Sequence, residues 1–349
     1  MREAIDNRIG VQVAPTGQTV PIPATEATET AALAPAAGGG RRALDRLRPV
    51  LRNQKAAVGA VVLVGFVAVA LLAPVIAPGD PNDIVARRHL PPSAAHWFGT
   101  TGAGQDVFAQ TVWGTRLTLS VGLAVGILTT LVAIAIGMIA GYFRGRIDDA
   151  LSLLMNVFLI IPSLPLLVVL AAFLGSGNPA YFVFVLTVTG WAWPARVLRS
   201  QTLSLREKDF VSAAEVSGDG WFRIIFREIL PNMTSIAVAG LFGSTIYAIG
   251  AVSALEFLGL GNPSVVSWGT NLYWAGNNGA LLTGAWWTVL PSGLCIALIA
   301  FAFALVNFAV DEVTNPRLRV QRLAAQVMAR AGGRLARSSR ATPVVRHAG

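Results

Sequence analysis

Charge is what this chain has least of. Of its 349 residues, 13% are Asp, Glu, Lys or Arg, against roughly 25% in a typical soluble domain. A soluble fold of this length needs more charge to cover its surface, so the composition excludes an ordinary water-soluble enzyme and a disordered chain. Cysteine occurs once, at Cys295, which excludes an intrachain disulfide and a cysteine metal cage. Histidine occurs three times, at His89, His96 and His347, none with a second donor at ligand spacing. No Gly-x-x-x-x-Gly-Lys-Ser/Thr loop is present, so ATP is not bound by that route. No nucleophile–base pair stands out. The sequence therefore nominates no catalytic residue, no metal ligand and no cofactor of its own, and the chain is not expected to be an enzyme.

What is present is apolar sequence in long runs. Hydrophobic residues make up 54% of the chain. A membrane span needs about 20 mostly apolar residues. Residues 56–77 form the first candidate and residues 117–143 the second. The 46 residues from Ala150 to Ala195 contain no Asp, Glu, Lys, Arg or His, too long a run for one crossing. The cluster Gly175-Ser176-Gly177-Asn178-Pro179 divides it into two spans, 151–174 and 180–195. Residues 233–255 and 286–310 supply two more. The expected fold is an all-α membrane protein of six helices. Between the last two spans, residues 257–284 are rich in Gly, Asn and Trp and read as an ordered outer loop.

The basic residues orient these spans. With both ends inside, the segments 1–55, 144–149, 196–231 and 311–349 hold 24 of the 27 Lys and Arg, and the outer segments hold only Arg87, Arg88 and Arg116. Lys and Arg favour the cytoplasmic side, so the N-terminus and C-terminus are both assigned inside. The division that follows is a disordered basic tail (1–55), a first helix (56–77), an extracytoplasmic loop (78–116), a five-helix core (117–316) with a cytoplasmic loop at 196–231, and an arginine-rich tail (317–349). The basic residues flank apolar runs instead of forming one face, so nucleic acid is not an expected partner and the lipid membrane is.

The cytoplasmic loop carries the most local information. Ser204-Leu205-Arg206-Glu207 has the form of a capping box opening a helix. Glu207 and Asp209 would lie in its first turn, where negative charge suits the helix dipole. Ser212, Ala213 and Ala214 are small residues in the middle, suited to close docking in a groove. Ser217-Gly218-Asp219-Gly220 forces a turn, and a second short helix, 221–228, offers Trp221, Ile224 and Ile225 as its apolar side. From this pattern alone, a docking helix and a helix lying on the membrane are equally compatible.

The run Glu207-Lys208-Asp209-Phe210-Val211-Ser212-Ala213-Ala214-Glu215-Val216-Ser217-Gly218, continued by Arg223 and by Ile229-Leu230-Pro231, resembles the Glu-Ala-Ala loop of ABC importer permeases, with Ser212 in the leading Glu position. Three further blocks resemble the C-type subunit of oligopeptide and dipeptide permeases. They are His96 to Val107, with Thr101 and Gln105 departing from the usual Asp and Arg; Phe257-Leu258-Gly259-Leu260-Gly261 with Ser267-Trp268-Gly269; and Asn315-Pro316-Arg317-Leu318. Together they cover residues 56–320.

The resemblance implies one membrane subunit of a peptide importer, multi-pass in the bacterial inner or plasma membrane. It implies a second permease subunit as heterodimer partner, two ATPase subunits carrying ATP and magnesium, and an extracytoplasmic substrate-binding protein. It assigns coupling to the ATPases to Glu207, Asp209, Ala213, Ala214, Glu215, Gly218, Arg223 and Pro231. The outer loop is expected to fold back toward the pathway, with Gly259, Gly261, Asn262, Trp268 and Gly269 close to it. The alternatives are an importer of nickel or another small solute, or a self-contained secondary carrier.

Overall fold

The computed structural model describes residues 54–174 and 178–314. The tail at 317–349 and all but the last two residues of the tail at 1–55 lie outside them. The described residues form helices α1 (Gln54–Ile76), α2 (Val107–Phe143), α3 (Gly145–Ile160), α4 (Ser163–Leu174), α5 (Pro179–Gly190), α6 (Ala192–Arg206) and α7 (Asp209–Val216). These are followed by α8 (Trp221–Arg223), a π-helical segment (Ile224–Ile229), α9 (Leu230–Asn232), α10 (Thr234–Phe257), α11 (Trp268–Asn277), a 3₁₀ turn (Trp286–Thr288) and α12 (Leu290–Thr314). No strand occurs among the described residues, only an isolated bridge between Thr100 and Asp106.

Four segments, 54–76, 107–143, 234–257 and 286–310, are long and apolar enough to cross a membrane, and α5 with α6, bent by 43°, makes a fifth if the pair is one span. The remaining expected span, 151–174, is divided between α3 and α4 at Ile161 and Pro162, because proline cannot continue the i→i−4 ladder. The second span also begins earlier than its hydropathy suggests. Asp106 caps α2 by accepting from Ala109 N at 3.0 Å, so the last ten residues of the expected loop 78–116 are helical.

Helix α2 is the spine, packed along α6, α10, α1 and α5, while α12 lies against α1 and α10. Small residues allow the closest approaches. A Cβ at Gly126 would lie 3.1 Å from Thr245 Cβ, and one at Gly141 would lie 2.7 Å from Thr202 Cβ. The core divides along the spine. One cluster gathers Met138, Met155, Trp191, Leu198 and Met233 at the end that carries the α6–α10 loop. A middle one gathers Val125, Leu167, Leu186 and Leu255. A third joins Leu119, Ile249, Trp268, Ile299 and Phe303 at the glycine-loop end. Outward faces stay apolar: Val61, Leu71 and Val75 of α1 are each more than 70% exposed, as surfaces solvated by lipid are.

Candidate functional site: the coupling loop and the membrane-depth concavity

The loop between α6 and α10 begins differently from its sequence pattern. Ser204 does not open a helix. It lies in the last turn of α6, which runs to Arg206, and α7 starts at Asp209 with Lys208 at a cap position that makes no side-chain bond. Packing of Leu198 and Thr202 against the α2 spine carries α6 through the capping-box motif. Asp209 does lie in the first turn of α7. The helix ends as its glycine predicts: Gly218 has φ +82°, Gly218 N donates to Glu215 O at 3.0 Å and Asp219 N to Ala214 O at 3.1 Å, a left-handed stop that gives donors to two carbonyls of the last turn.

The faces of α7 are now assigned. Val211 is fully buried and Ala214 packs with it against the cluster around Met138 and Ile225. Ser212, Ala213, Glu215 and Val216 face outward, Val216 being 89% exposed. Three contacts tie the loop to the end of α2. Tyr142 Oη donates to Glu215 Oε1 at 3.4 Å, the Arg206 guanidinium lies 5.1 Å over the Tyr142 ring, and Arg144 Nη2 donates to Glu207 Oε1 at 2.6 Å. Arg144 reaches Glu207 from a backbone with φ 55° and ψ −171°, a region non-glycine residues avoid at about 1–3 kcal/mol. The sequence placed a break between spans at 144–149, but not the positive-φ backbone at Arg144 that makes the joint sharp. Arg144 holds the Glu207 carboxyl below the usual carboxylate range.

The second short helix is a composite. One turn of α-helix continues as π-helix, with Ile224, Ile225 and Ile229 buried, and Pro231 opens α9. Trp221, expected on the apolar side, is instead 47% exposed. It stands in a row of rings, 5.5 Å from Phe143 and 5.7 Å from Phe222. The extra residue per π turn rotates the inward face onto the isoleucines and the ring row outward. Arg223 pairs with Asp219 at 3.2 Å, one helical turn apart and just after the Gly218 stop.

At the other end of the bundle, α11 is a helix set into the core. Ser267 and Thr270 form a reciprocal capping box. Trp268 is fully buried, with Nε1 donating to Thr111 O at 3.1 Å and its backbone N to Thr118 Oγ1 at 3.2 Å. Glu256, which the sequence reading passed over, is buried beside it and accepts from Ser267 Oγ at 2.6 Å. Gly261 and Gly269 leave room for it: a Cβ at either would meet the Glu256 side chain at 2.8 or 2.7 Å. Gly259 takes φ +80° over the Tyr273 ring, and Asn262 O accepts from Val265 N at 3.1 Å. Gly259, Gly261 and Gly269 close around Glu256, with Gly259 N donating to Glu256 O at 2.9 Å.

Between the two ends lies a concavity of about 660 Å³, bordered by α2, the α3–α4 break, the α5–α6 bend and α10. Thr129, Thr130, Trp193, Ser244 and Tyr247 line it with the prolines Pro162 and Pro194, and no Asp, Glu, Lys, Arg or His does. None of the five outer-loop residues named from the sequence borders it.

Residues 133–320 match the family described as binding-protein-dependent transport system inner membrane component. Residues 41–92 match the N-terminal TM domain of oligopeptide transport permease C. The dipeptide transport system permease protein DppC of Bacillus subtilis is 33% identical over 279 residues, 79% of this chain and 86% of the relative. A putative peptide transport system permease protein of Brucella suis is 34% identical over 278 residues, 78% of this chain and 92% of the relative. The oligopeptide transport system permease protein OppC of Bacillus subtilis is 30% identical over 272 residues, 76% and 87% respectively.

Proposed function

Because the chain belongs to the family of binding-protein-dependent transport system inner membrane components, we propose that it is the membrane subunit of an ATP-driven importer of di- and oligopeptides in the bacterial cell membrane, forming half of the translocation pathway. Relatives at 30–34% identity that carry dipeptide, oligopeptide or peptide permease names favour this solute class over nickel. The six crossings are α1, α2, α3 with α4, α5 with α6, α10 and α12, with both ends inside. The distribution of Lys and Arg supports that orientation. The partners are a second permease, two ATPase subunits that use ATP and magnesium, and an extracytoplasmic binding protein; this chain itself performs no hydrolysis.

The observation that carries the coupling role is the division of α7 into an anchored inner face and a free outer one. Val211 and Ala214 lock the helix to the bundle, while Ser212, Ala213 and Val216 present a low outward surface to which an ATPase groove can close. Glu207 and Glu215 brace that surface through Arg144 and Tyr142, and Arg223, with Asp219, holds the turn behind it. ATP binding closes the ATPases and draws the coupling helices of the two permeases together. The pathway opens outward to receive solute, and hydrolysis resets it.

Two variants test this. Ala213 is exposed, so Ala213→Trp displaces nothing within this chain; it should abolish uptake and the stimulation of ATPase activity by solute-loaded binding protein while leaving membrane insertion intact. Gly218→Val meets no neighbouring atom, so its cost is confined to a β-branched residue at positive φ, about 1–3 kcal/mol, and it should weaken the same coupling. Wild-type uptake in both would overturn the docking role of α7.

A further inference from the structure

Helix α2 treats its threonines in two ways. Thr111 Oγ1 donates to Val107 O at 2.7 Å and Thr115 Oγ1 to Thr111 O at 3.0 Å, the usual way an apolar helix satisfies a hydroxyl. Thr129 and Thr130 are 2% and 7% exposed, and the hydroxyl of each is buried without a hydrogen-bond partner. Both border the 660 Å³ concavity. Across from them stands Gly190, where a Cβ would lie 3.9 Å from Thr129 Oγ1 and 3.9 Å from the Tyr247 ring.

The same wall has backbone acceptors released from their ladders. Pro162 removes the amide that would return to Phe158 O, and Pro194 the amide that would return to Gly190 O. Phe158 and Gly190 both border the concavity, at the α3–α4 break and at the 43° bend between α5 and α6. Irregular backbone persists at membrane depth only where protein or a polar cavity takes up its hydrogen bonds, and the unwound carbonyls of broken transporter helices coordinate cations there.

We propose that this concavity is a solute subsite that reads the peptide main chain and ignores its side chains. The freed carbonyls of Phe158 and Gly190 accept from amide N–H groups and from a terminal ammonium. The hydroxyls of Thr129 and Thr130, able both to donate and to accept, pair with peptide N–H and C=O. With no carboxylate, ammonium or guanidinium in the wall, no side chain of the cargo is selected by charge or trapped by it. The inference rests on the peptide-import reading and deepens it.

The test uses the complex isolated with its own partners and reconstituted in liposomes. Uptake is measured for the dipeptides Ala-Ala, Ala-Phe, Ala-Lys and Ala-Glu and for Ala-Ala methylated on its peptide nitrogen. The double variant Thr129→Val with Thr130→Val should raise KM roughly tenfold for all four unmodified dipeptides alike. Its stimulation of ATPase activity by loaded binding protein should stay within about twofold of wild type. The double Ser variant should restore uptake, and Gly190→Ala, whose Cβ would stand 3.9 Å from Thr129 Oγ1, should show a smaller loss with the same pattern. N-methylation should lower wild-type uptake and add little to the Val variant's defect. Unchanged uptake in the Val variant, or a loss confined to one side-chain class, overturns the subsite while leaving peptide import standing. A wild-type complex that carries none of the five overturns the import reading itself, and the subsite with it.

Discussion

Asp148 and Arg199 show how a single ion pair ties α3 to α6 at the end of the bundle that carries α7. Asp148 sits in the basic segment 144–149 and Arg199 on α6. The guanidinium donates to both carboxylate oxygens, 2.7 Å from Nη2 to Oδ2, and Ser152 Oγ donates to Oδ1 at 3.0 Å. The hydrogen bond from Arg199, outweighing the effect of burial, holds the Asp148 carboxyl below the usual carboxylate range. A depressed carboxyl pKa contributes stability that is present above the unfolded value of about 3.9 and lost as pH falls through the folded one. The wild-type complex should therefore melt higher than an Asp148→Asn variant at pH 7, and the gap should close below about pH 4. Thermal melting across pH 7 to 3 in detergent measures it; a gap independent of pH would deny the pair this role. Neither residue stands out in the sequence, because a partner 51 positions away leaves no local pattern.

Among the elements, α11 is the one whose importance the sequence understated. Its glycines and asparagines suggested a loop folding back toward the pathway. In the fold it is a capped helix whose Trp268 ring is fully buried, 5.6 Å from Phe66 edge-to-face, and which joins α2, α10 and α12. Trp268→Ala should cost about 3–5 kcal/mol, seen as a lower melting temperature of the assembled complex. Trp268→Phe should recover most of the packing but not the bond to Thr111 O. Equal melting of Trp268→Ala and wild type would show that α11 is an appendage. Helix α7 teaches the complementary lesson. Its glycine stop at Gly218 was readable from four residues, because a left-handed turn is a local demand on the backbone. Its start was not, because tertiary packing carried α6 past the Ser204 motif to Arg206. The π segment after Trp221 was equally hidden: an i→i+5 ladder differs from an α-helix by one residue of phase, and only burial of Ile224, Ile225 and Ile229 distinguishes them.

For the whole molecule, the proposed topology can be checked directly. In a background with Cys295→Ser, single cysteines at Asn178 and Asn277 should react with a membrane-impermeant maleimide added outside, and one at Ser204 should react only after the inside is opened. Ser204 and Asn277 are exposed, so access and not burial decides the result. External labelling at Ser204 would reverse the orientation. The sequence by itself determined the membrane class, the apolar runs and the family, because composition, hydropathy and short motifs are additive along the chain and need no partner to be read. Only the tertiary structure decided where a run is broken, which face of α7 is free, that Glu256 is walled in beside Ser267, and that Thr129, Thr130 and Gly190 meet across one concavity. Each of those depends on residues distant in sequence competing for the same space and the same hydrogen bonds, and that competition is settled only once the helices have packed.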